Sequence, residues 1–462
     1  MASPSIKPTI ASRIDRLPVC SSLGWMVVLL SLGGCVEFYD IFLTAYIAPA
    51  LYRSGIFTAT TKGIFGLEGI ASFVAAFFGG LLVGTLCLGR LADRFGRRAV
   101  FSFALGWYSA CTFVMAFQQT AAQLDFWRFA AGIGVGVELV TIDTYLSELV
   151  PKGRRGSAFA FNQFITFLSV PLVAFISYLL GTTRWWNLDG WRWVVLIGSS
   201  GALIIFFIRR VVPESPRWLE QRGRLKEADE VMRRIENQVE REIKRPLPEP
   251  QSAPGEVVHG TGAFKEIWQA PYRRRTVMLM VFNLCQAIGY YGFANWAPTF
   301  LLAKGINVTK SLEYTFLIAL ANPVGPLLGW IFAERWQRKW QIVWSAISIA
   351  VFGLCFSQQR VPLGVIVTGI LVTLSNNWMS FTFHAYQAEL YPTRIRAQAV
   401  GFVYSWSRLG GMIGSVIIAF MLKAYGTAGV FVLIALCMFL VAVVIGGFGP
   451  LTNNRRLEEI AR

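Results

Sequence analysis

Residues 147–156 read SELVPKGRRG, and residues 388–397 read AELYPTRIRA. Both spell Glu-Leu-x-Pro-x-x-x-Arg, first at Glu148, Leu149, Pro151 and Arg155, then at Glu389, Leu390, Pro392 and Arg396. The offset is 389 − 148 = 241 residues, and a second pair of segments repeats it. GRLADRFGRR carries Asp93, Arg94, Arg97 and Arg98, and GWIFAERWQRK carries Glu334, Arg335, Arg338 and Lys339 at the same spacing. Two separate motifs at one offset make the chain an internal duplication.

The flanking sequence says what is duplicated. The chain has 462 residues, 55% hydrophobic and 15% charged. Its apolar residues fall in runs such as GIASFVAAFFGGLLVGTLCLG, close to the ~20 residues that cross a bilayer core. Such runs lie near 22–48, 65–88, 99–117, 123–147, 157–180, 191–211, 274–300, 311–333, 341–358, 361–388, 398–423 and 427–448. Runs this long and this numerous exclude a soluble helical protein. The first is no cleaved signal peptide, because a polar stretch precedes it and no small-x-small site follows. The pattern breaks between about Arg209 and Arg275 with the charged helix RLKEADEVMRRIENQVEREIK and the Pro-rich PLPEPQSAPGE. The expected fold is an all-α membrane protein, twelve transmembrane helices in two pseudo-symmetric six-helix bundles. The expected divisions are 1–211, a cytoplasmic linker at 212–273, and 274–462.

The net charge of +17 is placed by topology. Arginine and lysine crowd alternate loops, at Arg90, Arg94, Arg97 and Arg98, at Lys152, Arg154 and Arg155, after Arg209, at Arg335, Arg338 and Lys339, and at Arg394 and Arg396. Positive loops stay in the cytoplasm, which puts both termini there. No aromatic-interleaved basic patch indicates nucleic acid. The seven cysteines stand singly and read as small buried hydrophobes, without metal spacing or a disulfide framework. No nucleotide loop or nucleophile motif points to an enzyme or a cofactor. Gly132, Gly134 and Gly136 lie within a membrane run, where glycines let helices approach closely.

Charges inside the runs are the functional candidates, because a charge in the bilayer is expensive. Each Glu-Leu-x-Pro-x-x-x-Arg segment sits at the cytoplasmic end of a helix. Glu148 is expected to pair with Arg94 or Arg97, and Glu389 with Arg335 or Arg338, forming a breakable cytoplasmic gate that also includes Asp93, Arg155, Glu334 and Arg396. The eleventh run reads YSWSRLGG, with Arg408 about ten residues, ~15 Å, into the membrane. Arginine forks onto carboxylates, so the expected substrate is a small organic anion. Aromatics near the polar groups, Tyr290, Tyr291, Phe293 and Trp296, with Trp378, Phe381, Phe383 and Tyr386, suit a cage around a flat acid. His384 stands among them as a donor to a carboxylate or a proton carrier. In the first half, Glu37 and Asp40 lie in the first run and Arg128, Glu138 and Asp143 in the fourth. Asp40 and Arg128 fall at similar depth and can pair, whereas Glu138, about ten residues or ~15 Å deeper than Arg128, is expected to line the cavity instead.

With GRLADRFGRR, Arg128 followed by GIGVG, SELVPKGRRG, PESPRW at 213–218 and AELYPTRIRA, the chain resembles the major facilitator superfamily along its whole length. The set fits the branch of sugar porters and organic-ion carriers and implies alternating access by two bundles. In proton-coupled sugar porters an acid and an arginine occupy the places of Asp40 and Arg128, which implies that Asp40 carries the proton and Arg128 tunes it. Gln163 and Gln286 match sugar-binding glutamines. Cys285 replaces a second glutamine, Tyr291 an asparagine and His384 a tryptophan, so the resemblance weakens for a free sugar. Glu37-Phe38-Tyr39-Asp40 is similar to a Glu-Trp-Tyr-Asp motif of metabolite–proton symporters, and the place of Arg408 holds arginine in organic-anion carriers. The implied activity is proton symport of a small organic acid by a monomer in a bacterial inner membrane. Sugar symport and proton-driven export are the alternatives. Export is disfavoured by a fifth run, FNQFITFLSVPLVAFISYLL, that lacks the glycines of exporters.

Overall fold

The apolar runs fold as helices that keep every backbone polar group paired within one segment, the form a bilayer demands. The computed structural model describes residues 9–452 except 19, 59, 65, 89–90, 152–153, 251–263 and 333–335. Within helices it leaves out the side chains of 87–88, 92–93, 139–140, 156, 206, 209, 329–332, 393–394 and 396–397. Glu334 and Arg335, and the side chains of Asp93 and Arg396, therefore lie outside the described residues.

All twelve apolar runs are occupied by helix. The first five spans are Ser21–Arg53, Ile70–Val83 with a π turn at Gly84–Leu88, Arg97–Met115, Ala121–Leu149 and Arg155–Leu180. The sixth is split into Gly190–Ser199 and Ala202–Val211, the seventh into Tyr272–Ala294 and Ala297–Ala303, and the eighth into Val308–Ala319 and Val324–Phe332. The ninth and tenth are Arg338–Gln358 and Pro362–Glu389. Thr393–Phe448 holds the last two, broken at Gly426 with φ 65°. The breaks have local causes. Pro298 opens the second piece of the seventh span, where its missing N–H costs nothing. Pro323 disfavours helical backbone at Asn322 in the eighth. Gly426 adopts a left-handed conformation that residues with a Cβ avoid. Among the described residues, seven helices are by themselves long and apolar enough to cross a membrane, and the last of these contains two spans.

Small residues set the helix spacing. A Cβ on Gly80 would stand 2.1 Å from the Phe129 carbonyl oxygen, and one on Gly136 2.4 Å from that of Leu81. Gly84 and Gly132 meet the facing backbone as closely. The second and fourth spans thus touch backbone to backbone through small-xxx-small stripes on both. Between the halves, the second span packs on the eleventh, the fifth on the eighth, and the first on Ala297–Ala303.

A short helix, Ile10–Asp15, and the charged helix Leu225–Ile243 form a small core of their own at the end that carries the termini. Ile10, Ile14, Trp218, Met232 and Ile235 are buried there. Arg13 bridges Asp229 at 2.7 Å and Glu236 at 2.6 Å, and Arg16 reaches Glu236 at 2.6 Å. Burial raises the Glu236 carboxyl, but hydrogen bonds from Arg13 and Arg16 outweigh it and hold the group below its ordinary value. The linker also caps membrane helices. Glu242 accepts from the backbone N–H groups of Ser21 and Ser22, where the first span begins. Glu214 Oε1 accepts from the N–H groups of Arg97 (2.9 Å) and Arg98 (3.1 Å), where the third begins. A carboxylate at a helix N-terminus satisfies orphan donors and complements the dipole.

Candidate substrate and proton site

In the first half, the first, third and fourth spans converge on Asp40. Arg128 Nη1 donates to Asp40 Oδ2 at 2.9 Å, its Nη2 donates to the Asp40 carbonyl, and its Nε donates to Thr44 Oγ1 at 3.0 Å. Thr112 Oγ1 donates to Asp40 Oδ1 at 3.0 Å. The guanidinium lies 4.0 Å from the centroid of the Phe77 ring. Both members of the pair are buried. The expected pairing of Asp40 with Arg128 is present, and each nitrogen of the guanidinium donates once.

Glu37 and Glu138 are not part of this pair. Both are buried, and among the described residues Glu37 Oε1 has no hydrogen-bond partner. Tyr108, one turn from Thr112 on the third span, lies beside Glu138. The fifth span adds Asn162 Oδ1 and Thr166 Oγ1, also unpartnered, and Thr166 Oγ1 would stand 2.9 Å from a Cβ on Gly34. Gln163, the expected glutamine, is half-buried next to Asn162.

In the second half, the seventh, tenth and eleventh spans build a string of rings around one cation. Arg408 is 2% exposed. Its Nη1 donates to the Tyr291 hydroxyl at 3.1 Å, its guanidinium lies 4.7 Å from the Tyr404 ring centroid, and its Nε has no partner among the described residues. Tyr404 meets the His384 ring at 5.3 Å, and Tyr291 meets Tyr290 at 5.1 Å. Tyr291 also meets Phe78 of the second span at 4.7 Å, so the cluster spans the two halves. His384 Nδ1 donates to the Ser380 carbonyl at 2.7 Å, which leaves Nε2 free. His384 and Asp143 are exposed. Gln286 is buried on the seventh span.

Half of the expected aromatic cage is ordinary core. Phe293 packs on Phe356 and Phe431, Trp296 on Phe300, and the Tyr386 hydroxyl donates to the Pro450 carbonyl. Trp378 Nε1 donates to Gln341 Oε1. Tyr404 packs on Arg408 and Phe78 on Tyr291, and neither was expected. Asn322, Asn376 and Asn377 were missed as well. They line a cavity of ≈ 30 Å³ between the halves, with Tyr46 and Tyr290. Arg408 is not in its wall.

The expected gate residues form two matching pairs. Arg97 Nη2 bridges Glu148 Oε1 at 3.2 Å, and Arg338 Nη1 bridges Glu389 Oε1 at 3.0 Å. Since 97 + 241 = 338 and 148 + 241 = 389, the duplication repeats a contact as well as a motif. Each pair joins two spans of one half, and neither crosses to the other half. Arg94 packs over Phe95, and Arg155 Nε donates to the Val150 carbonyl at 3.4 Å. Among the described residues, an ion pair between the halves stands at the opposite end, where Lys423 meets Glu68 at 2.9 Å.

Two helical bundles with a cluster of buried charges at their contact are the plan of a secondary transporter. Residues 26–462 match the family of sugar (and other) transporters, and the chain belongs to it. The putative metabolite transport protein YyaJ of Bacillus subtilis is 32% identical over 97% of this chain and 96% of its own. The niacin transporter NiaP of Acinetobacter baylyi is 28% identical over 98% of this chain and 99% of its own. The fold is that of the Escherichia coli xylose transporter XylE in a partially occluded inward-open conformation, with TM-score 0.75, 20% identity and coverage of 95% and 100% of the two chains. The protein is a multi-pass membrane transporter of the major facilitator superfamily, of metabolite or sugar type, and not an enzyme.

Proposed function

We propose that the protein imports a small organic anion, a carboxylate with an aromatic or hydroxylated body, by symport with a proton. The observation that carries the reading is Arg408, a buried cation at the contact between halves with no carboxylate bound to it among the described residues. A desolvated guanidinium with tyrosines on two sides and His384 two rings away suits a flat carboxylate. A relative named as a niacin transporter supports an acid of this kind. Asp40, held by Arg128 and Thr112, is the proton carrier, and Arg128 its tuner. Gln163, Gln286, Tyr290 and Tyr291 complete the substrate surface.

The charged ends, Asp93, Arg94, Arg97, Arg155 and Glu148 with their repeats Glu334, Arg335, Arg396 and Glu389, act as the cytoplasmic gate by holding each half together while the halves rock. The termini lie in the cytoplasm of a cell with this protein in its inner membrane, and the unit is a monomer. The Lys423–Glu68 bridge then lies on the outer side, in a state open inward. The test is uptake of niacin, benzoate, shikimate, gluconate and xylose into proteoliposomes under an inward proton gradient, with Arg408→Gln alongside. Acid uptake that collapses with the gradient and with the substitution supports the reading. Xylose uptake indifferent to Arg408 would replace it with sugar symport, and proton-driven efflux would replace it with export.

A further inference from the structure

A proton site that meets both sides of a membrane at once cannot couple, so a carrier open inward needs a barrier between that site and the outside. The loop that joins the first span to the second has the contacts of such a barrier. Its Phe57 is 0% exposed and meets the Phe73 ring of the second span at 5.7 Å. The Arg128 guanidinium lies 5.6 Å from the centroid of that same Phe73 ring. Beyond Phe57 the backbone folds back on itself. Gly63 N–H donates to the Leu67 carbonyl at 2.9 Å, and Gly69 N–H donates to the Thr61 carbonyl at 2.8 Å. This turn is seated on the fourth span. Asp125 Oδ2 accepts from the Ile64 N–H at 3.2 Å, and a Cβ on Gly63 would strike both Asp125 Oδ2 and Ser72 Oγ. Asp125 is 0% exposed and stands three residues, ~4.5 Å of rise, nearer the helix start than Arg128. At the exposed rim of the turn, Glu68 pairs with Lys423 of the other half.

We propose that Asp125 is a positioning residue, which seats this loop as a seal over the Asp40–Arg128 pair, and that Glu68–Lys423 ties the seal to the other half. The idea rests on the reading above of Asp40 as the proton carrier and of this end as the outer one. While the halves meet on the outer side, Lys423 holds Glu68 and the turn stays on Asp125. Asp40 then exchanges protons with the inner side alone. When the halves part on the outer side, Lys423 leaves with its own half. The loop is then held by Asp125 and Phe73 only, and it lifts to admit a proton.

The test is proton leak in the absence of substrate. Proteoliposomes with an internal pH dye, and valinomycin to balance charge, are given an inward proton gradient. Wild type is expected to be tight. Asp125→Leu and Gly63→Ala are expected to leak several-fold faster. Asp125→Asn, which keeps an oxygen for the Ile64 N–H, and Gly401→Ala, which meets nothing within 4 Å, are expected to stay tight. Adding Asp40→Asn to Gly63→Ala abolishes the leak, a result that loosening of the fold alone would not give. Amide hydrogen exchange gives a readout that leaves the buried contacts intact. In wild type, peptides covering Gly63, Ile64 and Gly69 are expected to exchange slowly. Glu68→Gln, at an exposed site, speeds them up to about fivefold, the most that loss of one surface ion pair allows. Folded Asp125→Leu and Gly63→Ala proteins that stay tight, or wild-type amides that exchange as freely as in an unfolded chain, overturn the seal. A leak in Gly63→Ala that survives Asp40→Asn overturns Asp40 as the proton carrier instead.

Discussion

Replacing Asp40 by asparagine removes one partner of an ion pair whose members are 2% and 0% exposed. Breaking such a pair costs about 3–5 kcal/mol, because the surviving charge stays buried without its partner. Three features put Asp40→Asn near the lower figure. The amide oxygen still accepts from Arg128 Nη1, the Asp40 carbonyl and Thr44 still take Nη2 and Nε, and the Phe77 face still covers the guanidinium. Asp40→Ala loses the side-chain acceptor as well and falls near the upper figure, about 5 kcal/mol. Asp40→Asn with Arg128→Met removes both charges, and is expected to be more stable than Asp40→Asn alone. The assay is thermal unfolding of the purified protein in detergent, followed by intrinsic fluorescence, with accumulation and counterflow measured on the same preparations. Accumulation is expected to fall to background in Asp40→Asn while counterflow persists. An Asp40→Asn protein as stable as wild type, or a double variant no better than the single, would refute the view that a desolvated charge pair holds this site. Surviving accumulation would remove Asp40 as the proton carrier.

Two further predictions concern packing and the terminal helix. Gly80→Ala places a methyl 2.1 Å from the Phe129 carbonyl, so the second and fourth spans must separate, costing about 1–3 kcal/mol. Gly401→Ala, with nothing within 4 Å, is the matched control, and unfolding temperatures compare the two. Glu236→Gln removes the carboxylate that holds Arg13 and Arg16, so trypsin is expected to cleave after these arginines several-fold faster than in wild type. The same lowered carboxyl sets the pH range. Its contribution is complete above the ordinary carboxylate value and is lost as pH falls through the lower, folded-state value, so cleavage of wild type by an acid-tolerant protease rises only below that point.

Much of the architecture was legible because it is written in long patterns. The apolar runs fixed the helices, and the 241-residue offset narrowed the partners to Arg94 or Arg97 for Glu148 and Arg335 or Arg338 for Glu389, of which Arg97 and Arg338 make the contacts. Asp40 and Arg128 were legible because charges in apolar runs are few and depth follows from residue count. The sequence did not show that the two gate pairs close within their own halves, since a repeated motif says nothing about which neighbour it meets. Tyr404, Phe78 and Tyr108 were missed because aromatics in membrane helices are common, and only the crossing of helices decides which of them face a charge. Asn162 and Thr166 gave a weak signal, single polar residues on one face of the fifth run. The helix at Ile10–Asp15 was missed because it is six residues long and is held by partners more than 200 residues away.

The carboxylates of Glu214 and Glu242 finish two helices that lie far from them in the chain. The end of the sixth span is therefore a poor place to cut this gene in two. A first fragment stopping at 211 would leave the starts of the first and third spans uncapped and strip the partner from the terminal helix. A fragment that runs through Ile243 carries its own caps. Co-expressed fragments divided after that helix are the ones expected to reassemble into a working carrier, which makes the stretch following the linker's charged helix the natural seam for a split reporter or a fluorescent insertion.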